Sequence, residues 1–192
     1  KEADWFDVSM QKDEQGRWKL ELRNGETYLY ALLEDTAKEG REITPRFQFI
    51  ENKGIAFGHY RLISHIDFNE LEIVETNKIA SSVMTLTTYG DGKIGVFDGN
   101  GLKISNIEIA LNNSSVGFFS QVVKGSIVKN AELTVKQITS GIGVYVGGVA
   151  GYLSNASIVN IDIQATTQKG DNRSEINGVN VVGGIVGIAT GT

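Results

Sequence analysis

Ile104-Ser105-Asn106-Ile107-Glu108-Ile109, Val128-Lys129-Asn130-Ala131-Glu132-Leu133 and Ile158-Val159-Asn160-Ile161-Asp162-Ile163 are three versions of one phrase. Each runs apolar, variable, Asn, small or branched apolar, acidic, apolar. The asparagines lie 24 and then 30 residues apart. Glycine-rich apolar segments join the series: Val116-Gly117-Phe118-Phe119, Val146-Gly147-Gly148-Val149-Ala150-Gly151 and Val182-Gly183-Gly184-Ile185-Val186-Gly187. Gly117 precedes Asn130 by 13 residues, and Gly147 precedes Asn160 by the same 13. Recurrence on this scale in strand-like sequence marks stacked repeats, each copy one rung that buries its apolar face against the next.

A coiled chain of this kind stacks equivalent positions at the strand spacing of about 4.8 Å. Branched apolar residues then pile into a core. Asn at a turn tolerates left-handed backbone angles and can hydrogen-bond its counterpart one rung away. Gly marks tight bends or close backbone approach. A β-sandwich also uses short strands with frequent turns, but it gives no reason for Asn and an acid to recur at fixed places within strands. The expected fold is therefore all-β, a right-handed parallel β-helix (solenoid) with a short N-terminal α-helical cap. The sequence divides into a cap with one helix and the first strands over 1–75, and Gly/Asn-rich coils over 76–192.

Composition supports that division. Residues 1–75 hold 16 acids and 10 bases, whereas residues 76–192 hold 7 acids, 8 bases and 18 of the 23 glycines. The net charge of −5 shows no basic face for phosphate, so nucleic acid is not an expected partner. No apolar run reaches the length of a membrane-spanning helix, and no membrane insertion is expected. Cysteine is absent, which removes disulfide and thiolate chemistry. The sequence lacks a signal peptide and an initiating Met, so it reads as processed or excised from something longer.

Along the cap, Trp18, Leu20 and Leu22 alternate with charged residues as in a half-buried strand. Asn24 and Gly25 supply a turn or a helix cap. Leu29, Leu32, Leu33, Thr36 and Ala37 share one helical face, predicting a helix over 27–39 that stops at Gly40. Residues 41–56, with the sole proline Pro45, read as a loop. Tyr60 to Phe68 alternates as a strand, and the phase shifts at Asn69 and Glu70, predicting a bend or bulge. Residues 76–94 end in the loop Gly90-Asp91-Gly92. Beyond 95 nothing has the length and period of a helix.

The parts and their order resemble the GLUG-motif proteins of bacterial surfaces. In that family a short helix and strand precede a Phe-Asp-Gly-Asn-Gly phrase, then Gly-apolar-apolar-Gly segments that each lead to an apolar-x-Asn turn. Here Phe97-Asp98-Gly99-Asn100-Gly101 runs into Ile104-Ser105-Asn106. Gly148-Val149-Ala150-Gly151 and Gly184-Ile185-Val186-Gly187 match the family's Gly-apolar-apolar-Gly pattern. Gly117-Phe118-Phe119-Ser120 departs from it at the closing position, and His65 stands where the family usually has an acid. The resemblance covers roughly residues 18–192. It implies a secreted or cell-surface scaffold: an adhesin or stalk, or an accessory segment of a large surface metallopeptidase such as those that cut immunoglobulin A.

Chemistry is harder to find. Phe97-Asp98-Gly99-Asn100-Gly101 opens like a calcium loop, but Leu102 and Ile104 break the ligand series, leaving a tight turn. His59 and His65 belong to no His-Glu-x-x-His sequence. Ser64 beside His65 is adjacency and does not make a nucleophile pair. Asp67, Glu70, Glu72 and Glu75 form an acidic cluster of the kind carbohydrate-active β-helix enzymes use in pairs, yet acids alternating with Leu71 and Ile73 also describe a solvated face. Glu108, Glu132 and Asp162 recur with the phrase and are expected to face solvent near Lys103, Lys129 and Lys136. No catalytic residue, metal site or cofactor is expected. The structural repeat residues are Asn106, Asn130, Asn160, Gly117, Gly148, Gly151, Gly184, Gly187, Asp98, Gly99, Asn100 and Gly101. The expected role is a non-catalytic segment of a secreted bacterial surface protein. Its expected partners are a host or matrix protein or a glycan, and further coils or domains of the same polypeptide beyond an incomplete copy at 182–192.

Overall fold

The computed structural model describes residues 5–12, 14–16, 18–24, 27–30, 55–56, 59–70, 85–86, 95–110, 112–142, 144–166 and 174–191. Among these the chain is all-β, with no helix and seventeen strands in three sheets. The longest strands, β8 (Val96–Ala110) and β11 (Ile127–Thr139), lie side by side in the first sheet, with β14 (Ser157–Ala165) beyond β11. On the other flank of β8 come β5 (His59–Leu62), β1 (Trp5–Lys12), β2 (Trp18–Asn24) and β3 (Thr27–Tyr30), while β6 (Ile66–Asp67) also pairs with β8. The second sheet orders β17 (Val186–Thr190), β13 (Ala150–Ser154), β10 (Phe119–Val123), β7 (Thr85–Leu86) and β4 (Ile55–Ala56). The third orders β16 (Val181–Gly183), β12 (Tyr145–Gly147) and β9 (Ser115–Val116).

From β9 onward the chain visits the third, second and first sheets in that order, then repeats the circuit. Each return lies parallel to the previous one: β12 on β9, β13 on β10, β14 on β11. Parallel pairing already holds between β5 and β8, so the shift in composition near residue 75 coincides with no change in pairing. The layer that begins at β14 is longer. β14 covers the first part of β11 and β15 (Glu175–Asn177) covers its end. Ser174 Oγ donates to the Thr166 carbonyl at 3.1 Å.

Apolar residues stack through these layers. Ile104, Leu133 and Ile163 are in register, as are Phe97, Val128 and Ile158, and Val116, Val146 and Val182. Ile104, Leu133, Ile107, Ile109, Ile138 and Val146 are buried, each burial contributing about 1.5–3 kcal/mol. Phe97, Phe118 and Phe119 meet edge to face, with centroids 5.1–5.9 Å apart, and fill the centre of the β8–β10 turn.

Two expectations for the cap are corrected. The helix over 27–39 begins in residues that form β3, whose backbone pairs antiparallel with β2 from Asn24↔Thr27 to Glu21↔Tyr30. Thr, Tyr and Leu suit a strand as well as their spacing suits a helix, and a ready partner strand decides between the two. Residues 31–39 lie outside the described residues, as do Pro45 and the Gly90-Asp91-Gly92 loop. The strand over Tyr60–Phe68 is two strands, interrupted at Ile63-Ser64-His65, where Ile63 turns outward while Tyr60, Leu62, Ile66 and Phe68 stay buried. The bend expected at Asn69 and Glu70 is present: Asp67 accepts the Asn69 amide on Oδ1 (2.9 Å) and the Glu70 amide on its carbonyl (3.1 Å).

Candidate functional site

Two kinds of corner carry the repeat residues. The first joins the third sheet to the second, and glycine dictates it. A Cβ placed on Gly117 would lie 2.7 Å from the Gly147 carbonyl oxygen and 2.8 Å from the Gly151 nitrogen. One placed on Gly187 would lie 2.7 Å from both the Gly151 oxygen and the Val146 nitrogen. A Cβ on Gly151 would meet Ser115 Oγ and the Val116 nitrogen at 2.5 Å. On Gly148 it would run into the Gly184 carbonyl oxygen. Backbone packs directly on backbone here, so each glycine is needed by the turn beside it. Ser120 occupies the place that Gly151 and Gly187 take in later circuits. Its hydroxyl donates to the Ser115 carbonyl at 2.9 Å, and the Ser115 hydroxyl returns a bond to the Ser120 carbonyl at 2.8 Å, both buried.

The second kind of corner is left-handed and mostly Asn. Asn100, Asn106, Asn130 and Asn160 have φ of 54°, 58°, 56° and 52°, a region other L-residues avoid. Asn160 Nδ2 donates to Asn130 Oδ1 at 3.0 Å, and Asn130 Nδ2 donates to Asp98 Oδ1 at 3.2 Å. That is a three-rung ladder. Asn106, expected at the same place, stands on a separate one: its Nδ2 donates to Asp67 Oδ1 at 2.8 Å, and its amide donates to Thr134 Oγ1 at 3.0 Å. The spacing explains the split. A full circuit here takes 30 residues between Asn130 and Asn160, so an asparagine only 24 residues before Asn130 cannot lie beneath it. Bulges complete the shift, because pairing of β8 with β11 jumps from Asp98↔Lys129 to Leu102↔Ala131. Asn100 and Gly101, both left-handed, fall inside this bulge, where Asp98 Oδ1 accepts the Asn100 amide at 2.8 Å. Gly99 packs against Ala131 and the Asn130 carbonyl. The Phe97–Gly101 phrase is thus a kink within a strand, with Asp98 Oδ1 committed to amides.

The charged residues complete the outer face of the first sheet. Asp7, Arg61, Asp98 and Lys129 are in register on four neighbouring strands with alternating sign. Arg61 pairs with Asp7, and Lys129 Nζ lies 3.6 Å from Asp98 Oδ2. Lys103 meets Glu132 at 2.8 Å and Lys136 meets Glu108 at 2.7 Å, so two of the three acids of the phrase lie beside lysines. Asp162 sits in register above Glu132 and is exposed, where water screens the pair.

The remaining candidates do not converge. Ser64 Oγ accepts the Met10 amide at 2.9 Å and donates to the His65 carbonyl, away from the imidazole. His65 Nδ1 accepts the Lys103 amide at 3.0 Å, and the His59 ring packs on Trp5. Glu70 is exposed at its turn, while Glu72 and Glu75 lie outside the described residues. Among the described residues no three of His, Asp and Glu gather closely enough to hold a metal ion.

Sequence reading missed one outer corner. Tyr145 and Tyr152 face each other at 6.1 Å across the glycine turn, and Tyr152 Oη meets Thr190 Oγ1 at 3.1 Å. Hydrogen bonds from the Thr190 and Ser154 side chains hold the Tyr152 phenol below the usual tyrosine range. The only available signal was that both tyrosines flank a Gly-apolar-apolar-Gly phrase. No family model, no curated protein and no solved structure matches this chain.

Proposed function

We propose that this chain is a right-handed parallel β-helix serving as a non-catalytic adhesin or stalk segment of a secreted bacterial surface protein of the GLUG-motif type. One observation carries the reading: like phrases lie on like phrases. Val146-Gly147 stacks between Val116 and Val182-Gly183, and Asn160 stands on Asn130. Such stacking suits a rod whose inside is apolar and whose outside repeats a short row of amides, hydroxyls and paired charges. A repeating polar face can engage a polymeric partner at several points, which favours a host or matrix protein or a glycan.

The test is retention of the intact chain on immobilised matrix proteins and glycans, alongside product analysis on peptide and polysaccharide panels. The expected result is saturable retention with no product. Turnover that disappears in Glu70→Gln would overturn the reading in favour of a carbohydrate-active or peptide-cleaving enzyme. Retention by nothing on the panel would remove the adhesive role.

A further inference from the structure

Tyr145 and Tyr152 stand on the outer surface of the stacked sheets, and the stacking itself does not call for them. Their in-register counterparts are Ser115 and Gln121 in the circuit before, and Val181 and Ile188 in the circuit after. Alternation turns them outward: Val146 and Leu153, beside them in the chain, are buried, while both tyrosines are half-buried. Described strands pair with β12 and β13 on both sides, so the rings face sideways whatever lies beyond β16 and β17.

The surroundings of the pair are uncharged and largely polar. Gln121 lies beside Tyr152 on β10, and Ser154 and Thr190 come next along the same face. Tyr152 Oη and Thr190 Oγ1 are 3.1 Å apart, and the Ser154 side chain also bonds the phenol, so this ring is held before any ligand arrives. No residue in register with either tyrosine is charged. The backbone has no free edge here, because β12 and β13 are paired on both sides, and a polypeptide cannot add as a further strand. A ligand must therefore be held by side chains.

The two ring centroids are 6.1 Å apart with planes inclined at 36°, a shallow aromatic shelf. A tyrosine face gives broad, rigid apolar contact at low entropic cost. Hydroxyl and amide side chains both donate and accept. A pyranose in its chair form matches that combination: its axial C–H bonds make an apolar face, and the hydroxyls around its rim donate and accept. A carboxylated or sulfated sugar would find no counter-charge among these flanking side chains.

We propose that the Tyr145–Tyr152 shelf is a binding subsite for one uncharged pyranose unit of a glycan, stacked on the rings with its hydroxyls toward Gln121 and Thr190. The inference rests on the adhesive reading above and narrows its partner to a neutral glycan. A single shelf binds one unit weakly, with Kd on the order of 1–10 mM.

The probes are methyl β-D-glucopyranoside, cellotriose and maltotriose, with trigalacturonate as the charged comparator. Each is titrated into the intact 192-residue chain and followed by saturation-transfer NMR and by the tyrosine ring resonances. The expected result is saturable binding of a neutral probe, with transfer to its ring C–H protons and shifts at Tyr145 and Tyr152. Tyr145→Ala should weaken binding by at least about tenfold at an unchanged unfolding midpoint. Tyr152→Phe keeps the ring and frees it from Thr190, and Gln121→Ala removes the amide; each should weaken binding about threefold. These two variants decide the matter should Tyr145→Ala lower the unfolding midpoint. Three results overturn the proposal: no neutral probe bound at about 20 mM, equal binding of trigalacturonate, or undiminished binding by the folded variants. Retention on a matrix protein without neutral-sugar binding overturns this subsite and leaves the adhesive role standing. Sugar binding in solution without retention on any immobilised partner removes the adhesive role and leaves the subsite.

Discussion

The glycine corner and the asparagine corner turn the same chain by opposite means. At the glycine corner, space decides: successive circuits approach until backbone atoms fill the volume of a side chain, as around Gly117, Gly151 and Gly187. At the asparagine corner, conformation decides. Asn130 and Asn160 hold left-handed angles and their amides reach across circuits, with Asn130 half-buried and Asn160 exposed. A steric requirement is absolute because interiors are close-packed and backbone cannot move aside. A conformational preference is graded. Substitutions should therefore fail abruptly at the first corner and by degrees at the second.

The largest effect is expected at Gly147. A Cβ there would lie 2.6 Å from the Gly187 nitrogen, with the Ala150 carbonyl on its other side. Gly147→Ala should destabilise by about 3 kcal/mol or more, or prevent folding, as overpacking against fixed backbone does. Gly184→Ala is the control, with an expected change within about 0.5 kcal/mol because its space is open. Denaturant unfolding of the two variants breaks the comparison if they lose the same stability.

Asn130 comes next. Asn130→Ala removes both the amide rungs to Asp98 and Asn160 and the residue's tolerance of φ 56°, and should cost about 1–3 kcal/mol. Asn130→Gly keeps the conformation and loses only the rungs, so it should cost about 1 kcal/mol. If both variants lose the same amount in chemical denaturation, the ladder carries all of the asparagine's contribution and backbone preference carries none.

These two corners also show how much the sequence could say. Gly148, Gly151 and Gly187 were legible because the need for glycine survives any detail of register. Asn130 and Asn160 were legible because their spacing equals one circuit. Asn106 was misplaced because its phrase matches in letters while a bulge at Asn100 and Gly101 moves it off the column. No local pattern reveals a bulge without the partner strand. The helix expected from Thr27 failed for a related reason: pairing with β2 is a tertiary fact, and a period of apolar residues cannot outvote an available strand edge. Lysines were expected near Glu108 and Glu132, though not which lysine serves which acid, and Lys129, expected among them, meets Asp98 instead. The tyrosine pair was legible only as two residues flanking a Gly-apolar-apolar-Gly phrase, since its geometry depends on how tightly that turn closes.

Ser115 tests where the glycine rule relaxes. The Ser115 and Ser120 hydroxyls cap each other's carbonyls inside the first described glycine corner. Ser115→Ala leaves the buried Ser120 carbonyl without its hydroxyl donor and should cost about 1–2 kcal/mol. Ser120→Gly, which restores the glycine of the later circuits, should cost about the same, losing one bond and adding chain entropy to the unfolded state. Thermal unfolding that shows Ser120→Gly to be more stable than the parent would mean that the serine pair is a concession to the sequence and gives the corner no strength.

The smallest effect belongs to the charged face beside the asparagine ladder. Lys136 Nζ and Glu108 Oε2 are 2.7 Å apart, with side chains 35% and 17% exposed. Solvent reaches the pair, so its coupling in a double-mutant cycle of Lys136→Gln and Glu108→Gln should be about 0.3–1 kcal/mol. Salt should diminish it, because the Debye length falls from about 10 Å at 0.1 M ionic strength to about 3 Å at 1 M. The loss caused by Asn130→Gly should be insensitive to salt in the same titration, since the rungs it removes, to Asp98 and Asn160, hold by donor geometry and only one partner is charged. A coupling above about 2 kcal/mol that persists in high salt would show the pair to be effectively desolvated. The outer face of the first sheet would then resemble the glycine corner, a place where burial decides, and the contrast between the two corners would not extend beyond the asparagines themselves.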